Sequence, residues 1–149
     1  MTEIRFYQLS KKNVLEALPE ILGKALARDF KIVIKTTDED SVKEIDNYLW
    51  TYNNESFLPH GYKKNKNQSD QPIWITAGDD NPNNANMLVL INNTEVKDLS
   101  KTELCCKIFT GSDKEILDNA CSTWDEYKKN GFNLSYFKQD DNGKWHKKS

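Results

Sequence analysis

"KIVIKTTDEDSVKEIDNYLW", Lys31 to Trp50, is the stretch that decides the fold class. Its first five residues are a short β-branched, apolar run of strand length. The period then changes: from Asp38 to Trp50, Val42, Ile45 and Leu49 return on one helical face. Acids at the start of that segment suit the positive end of a helix dipole. A strand feeding an amphipathic helix is half of a crossover unit, so the neighbouring segments must supply the rest.

On the N-terminal side, Ile4-Arg5-Phe6-Tyr7-Gln8-Leu9 has the aromatic and branched content of a strand. Val14, Leu18, Ile21, Leu22, Ala25 and Leu26 follow at helical spacing. Pro19 lies inside that pattern, so the regular helix is expected to begin near Leu18, with the proline in its first turn. Strand, helix, strand, helix is the signature of a parallel sheet with right-handed crossovers.

On the C-terminal side, "PIWIT" (72–76), "MLVLIN" (87–92) and "ELCCKIF" (103–109) read as strands, with the turn-rich "AGDDNPNNAN" (77–86) between the first two. A last helix is announced by an S-x-x-E capping box at Ser112 and Glu115 and by the stripe Ile116, Leu117, Ala120, Trp124 and Tyr127. Lys128 and Lys129 fall in its final turn, and Gly131 is placed to end it. "FNLSYFK" (132–138) closes the pattern, and "HKKS" (146–149) is expected to fray. The fold class is therefore α/β: one domain over 1–149, three layers α/β/α around a largely parallel, mixed sheet. It is Rossmann-like without the nucleotide fingerprint, since the six glycines form neither G-x-G-x-x-G nor a P-loop.

With a net charge of −2, the chain lacks the basic balance of a protein that mainly grips phosphate backbone. Met1 to Leu9 lack a basic stretch followed by an apolar one, and no apolar run is long enough to span a bilayer. Cys105, Cys106 and Cys121 suggest neither a disulfide framework nor a zinc pair, so a reducing cytoplasm is the expected setting. The adjacent pair should point to opposite faces, one thiol in the core and one at the surface. With two histidines, His60 and His146, no metal-ligand spacing emerges and no cofactor is implied. His60 with a cysteine is the one conceivable nucleophilic pair, and nothing at recognisable spacing supports it.

Two features remain. The first is an apolar knot, Phe57-Leu58-Pro59-His60, with Trp50, Tyr52 and Trp74 around it, followed by the polar "KKNKNQSD" (63–70). As core it is ordinary; exposed, it is a protein-docking patch. The second is charge: Tyr127 to Ser149 carries six lysines against two aspartates, a local +4.

At this point the residues become familiar. "FYQL" in the first strand, W-x₆-FLPH from Trp50 to His60, "QPIWI", and W-x-x-Y-K-x-x-G-F-N-L from Trp124 to Leu134 resemble the chi subunit of bacterial DNA polymerase III. The likeness runs nearly end to end and in order. It implies a non-catalytic accessory subunit of the replicase with an α/β/α fold and no bound nucleotide. Two partners are implied: the small psi subunit, which tethers chi to the clamp loader, and the acidic C-terminal tail of single-stranded-DNA-binding protein. The psi-binding residues it implies are Trp50, Phe57, Leu58, Pro59 and His60, with Trp74 added as a neighbour. The tail site it implies lies along the last helix at Trp124, with Tyr127 added as a neighbour; either this chain has lost tail binding, or Lys114, Lys128, Lys129 and the basic C-terminal stretch supply the cations. The family's basic positions fall on Leu117, Cys121 and Asp125, none of them basic. A small enzyme using His60, or a direct binder of single-stranded nucleic acid, stands as the alternative.

Overall fold

In the computed structural model, residues 2–10, 13–51, 61–62, 72–78, 84–92, 94, 99 and 102–148 are described. The elements are β1 (Glu3–Leu9), α1 (Val14–Ala27), β2 (Ile32–Lys35), α2 (Glu39–Thr51), β3 (Gly61–Tyr62), β4 (Ile73–Thr76), β5 (Met87–Ile91), β6 (Leu104–Thr110), α3 (Lys114–Lys129), β7 (Asn133–Gln139) and β8 (Trp145–Lys147). They build one eight-stranded sheet in the order β3-β4-β2-β5-β6-β1-β7-β8. Every pairing is parallel except β7 with β8.

This order follows from crossover handedness. From β1 the chain travels one way across the sheet, through α1 to β2 and through α2 towards β4. From β6 it travels the other way, through α3 to β7. Right-handed crossovers in opposite directions lie on opposite faces. Accordingly, Leu18, Leu22, Val42, Ile45 and Leu49 of α1 and α2 pack on Ile32, Ile34, Ile73, Ile75, Met87 and Val89. Ala120 and Tyr127 of α3 pack on Ile4, Phe6, Cys105 and Phe109 of the other face. The layered α/β/α expectation is met.

Four local expectations change. Helix α1 starts at Val14, a turn before Leu18, because Asn13 and Glu16 form a reciprocal capping box: the Asn13 side chain accepts from the Glu16 N–H at 2.9 Å, and Glu16 accepts from the Asn13 N–H at 3.3 Å. Pro19 is thus an interior residue that forfeits one helical hydrogen bond. The cap of α3 is Asp113 rather than Ser112; its carboxylate accepts from Glu115 and Ile116 N–H at 3.0 and 3.2 Å. The C-terminal "HKKS" is not frayed through its length. Trp145–Lys147 forms β8, and Lys148 N–H donates to the Tyr136 carbonyl at 2.7 Å. Cys105 and Cys106 are both buried, because β6 is an interior strand covered on both faces.

The C-terminus of α3 behaves as its sequence indicates. Phe132 N–H reaches the Tyr127 carbonyl and Gly131 N–H the Lys128 carbonyl, both at 3.2 Å, with Gly131 at φ +81°. These are the two bonds of a Schellman ending, which a left-handed glycine permits. Helix α1 ends the same way, with Asp29 at φ 62° in the glycine position and Phe30 N–H on the Ala25 carbonyl at 3.2 Å. That ending turns the chain abruptly towards β2.

Candidate functional site

Three surfaces can be built from the residues upward. The first is the crevice at the C-terminal ends of β1 and β6, where the chain leaves the sheet in opposite directions. Folds of this type bind their ligands there. Here the amides of the two helix N-termini are engaged by the protein itself, through the Asn13 side chain and the Asp113 carboxylate. Behind them, Tyr136 Oη bonds the Gln8 side chain, and Ser10 N–H donates to Gln139 at 3.2 Å. An anion would have to displace Asp113, whose charge opposes it.

The second surface is α3. Trp124 is half-buried, its ring edge-on to Phe6 at 5.3 Å and to Tyr136 at 5.6 Å. Beside it on the same ridge are Leu117, half-buried, and Cys121 and Lys128, both exposed. Tyr127 is only 8% exposed, edge-on to Phe6 and Phe132. It therefore belongs to the core and presents no ring to a peptide. Lys128 and Lys129 sit in the last turn and Lys114 in the first, about 20 Å away along the axis at 1.5 Å per residue. Helix α3 carries three lysines and four acids (Glu115, Asp118, Asp125 and Glu126), a net −1. Of the expected cations, Lys128 lies one turn from Trp124, while Lys114 is most of the helix length away. Asp125, exposed next to it in sequence, stands where the resemblance expects a base.

The third is the segment between α2 and β3. Trp50 lies in the last turn of α2, and β3 is the edge strand, paired with β4 through Gly61↔Trp74 and Tyr62↔Ile75. Phe57, Leu58, Pro59 and His60 lie outside the described residues. So do the knot's exposure and most of the 61–71 and 77–86 loops. In sequence the knot falls between α2 and the edge strand β3. Trp74, expected as a neighbour of the knot, is fully buried in β4.

A concave surface that sequence reasoning missed lies on the α1 side of β1, β7 and β8. Helix α1 packs over β6 and only borders this half of the sheet. A shallow groove opens between them, floored by Met87, Leu104 and Cys106 and edged by Arg5, Lys24 and Arg28. Its walls are aromatic: Tyr7 stacks on Phe137 at 5.2 Å and 13°, and meets Trp145 edge-on at 5.3 Å. Arg28 lies over the Phe30 ring at 5.5 Å. Burial pushes the Tyr7 phenol up to about 12, against the pull of Arg5, and pushes the Cys106 thiol to about 12. The only sequence signal was that "IRFYQL" and "FNLSYFK" place aromatics on both faces of their strands.

Among the described residues, no group of His, Cys, Asp and Glu is arranged to hold a metal ion, and no helix is long and apolar enough to cross a membrane. His146, expected in the tail, is instead part of the β7–β8 hairpin, where its Nε2 lies 2.6 Å from Asp140 Oδ2.

Comparison with known proteins bears on these surfaces together. Residues 1–135 match the family model described as DNA polymerase III chi subunit, HolC. A similar curated protein is "Probable DNA polymerase III subunit chi" of Rickettsia prowazekii (strain Madrid E), 35% identical over 109 residues. That alignment covers 73% of this chain and 66% of the relative, just under two thirds of its length. The family match spans β1 to the start of β7 and takes in the knot, the edge strand and α3. The chain belongs to the DNA polymerase III chi subunit family.

Proposed function

We propose that this protein is a non-catalytic accessory subunit of DNA polymerase III. In this reading it pairs with the psi subunit, joins the clamp loader through it, and links the replicase to single-stranded-DNA-binding protein. The observation that carries the proposal is the family match over residues 1–135. The psi contact falls on Trp50, Phe57, Leu58, Pro59 and His60, an apolar knot with a stiffening proline that precedes the edge strand in sequence. Burying each large apolar group contributes roughly 1.5–3 kcal/mol, and a stiffened loop loses less entropy on docking. Affinity purification from the native cell tests the assembly: clamp-loader subunits and single-stranded-DNA-binding protein should co-elute. Recovery of the chain without them would sink it.

The tail contact is the second half of the proposal. It rests on Trp124 with Lys128 and Lys129 at the end of α3, while Lys114 is too distant to share the same carboxylate. A labelled tail peptide should bind at low salt and weaken steeply as salt rises, since exposed lysines supply the charge. Absence of saturable binding at low salt would remove this half and leave the psi contact standing.

A further inference from the structure

The α1-side face of β1, β7 and β8 is used by neither proposed partner site. Two properties set it apart. It displays rings on a sheet: Tyr7, Phe137 and Trp145 are only half-buried, with Phe30 across the groove. It is also locally cationic in a protein of net −2. Arg5, Lys24, Arg28 and Glu20 line the groove, and Glu3 and Lys147 share the strand face beside it, four positive charges against two negative. Glu3 pairs with Arg5 at 3.0 Å and Glu20 with Lys24 at 3.3 Å. Arg28 and Lys147 carry no ion pair among the described residues; Asp29, next to Arg28, is exposed.

We propose that this face is a platform for single-stranded nucleic acid, with bases stacking on Trp145 and the Tyr7–Phe137 pair and phosphates lying against Arg28, Lys24 and Lys147. The argument is complementarity of two kinds at once. Rings displayed on a sheet beside cations fit a chain that alternates planar apolar groups with negative charges. The Tyr7–Phe137 stack spans neighbouring strands in register, so the rings form a row across the sheet. Lys147 lies opposite Phe137 across the β7–β8 pair and therefore shares its face. Arg28 is held at the groove by the tight α1 ending that also sets Phe30. A duplex keeps its bases stacked inside and would engage the cations alone. A single strand engages both.

The test uses the purified full chain and a short fluorescein-labelled oligothymidylate, read by anisotropy at low salt. The expected result is saturable binding that weakens with salt, with poorer binding of a duplex and of thymidine monophosphate. Trp145→Ala should weaken binding about tenfold, the loss expected for one stacking ring. Trp145→Phe keeps a ring and the hairpin and should retain binding. The pair Arg28→Glu and Lys147→Glu should abolish it, whereas Lys43→Glu on α2 should leave it unchanged. No saturable binding at low salt would overturn the proposal. So would binding that survives the Arg28 and Lys147 reversals, or a mononucleotide that competes as well as the oligonucleotide. The proposal is independent of the psi and tail contacts, and each can fail without the other.

Discussion

Cys105 and Cys106 show how much a single side chain's environment matters. Both are buried in β6, and burial raises both thiols, Cys106 to about 12. Cys121 is exposed on α3. A thiol reagent at mildly alkaline pH should therefore modify one cysteine in the native protein and all three after denaturation; rapid modification of two would contradict the burial. Trp74 offers the energetic counterpart. Because the indole is fully enclosed, Trp74→Ala should destabilise the fold by about 3–5 kcal/mol, visible in chemical denaturation even without a partner. On the proposed psi contact, Phe57→Asp should abolish recovery of psi in a pull-down. At the hairpin, Asp140 is held below the usual carboxylate range by its hydrogen bond to His146, with help from the Lys144 and Asn142 N–H groups. A depressed carboxylate stabilises fully above its unfolded value and loses that contribution as pH falls through its folded one. His146→Ala should move the Asp140 titration upward, as followed by carboxyl NMR.

Individual elements were legible to different depths. Six strands read from the sequence, from Ile4–Leu9 to "FNLSYFK", occur within a residue or two of their expected bounds, because interior strands of a parallel sheet need continuous apolar runs. Helix ends were less legible. The Ser112 box and the Asp113 cap differ by one residue, and both are good cap formers. The structure makes a distinction that stability can test: Asp113→Ala should cost about 1 kcal/mol, and Ser112→Ala clearly less. Asn13→Ala should also cost about 1 kcal/mol, through loss of the capping box on α1. The start of α1 was hidden by Pro19, whose cost the buried face of Ala17, Leu18, Leu22 and Ala25 outweighs. Asp29 in a left-handed conformation predicts the opposite sign: Asp29→Gly should stabilise α1 by up to about 1 kcal/mol in thermal unfolding.

For the whole molecule, the sequence by itself determined the α/β class and the alternation of layers. Those properties depend on period and local chemistry, which are written along the chain. Tertiary structure alone decided which faces the side chains share. It buried Trp74 and Tyr127, separated Lys114 from Lys128 along α3, and recruited Trp145 into a hairpin beside Tyr7. Among the described residues it also left the α1 side of β1, β7 and β8 without a helix packed over it, so that residues from positions 5, 7, 28 and 145 meet at one groove. No local pattern joins those positions. Their proximity follows from the strand order, in which the chain leaves β1 in one direction and returns to its other side through α3, and burial on either face is settled only when that sheet is complete.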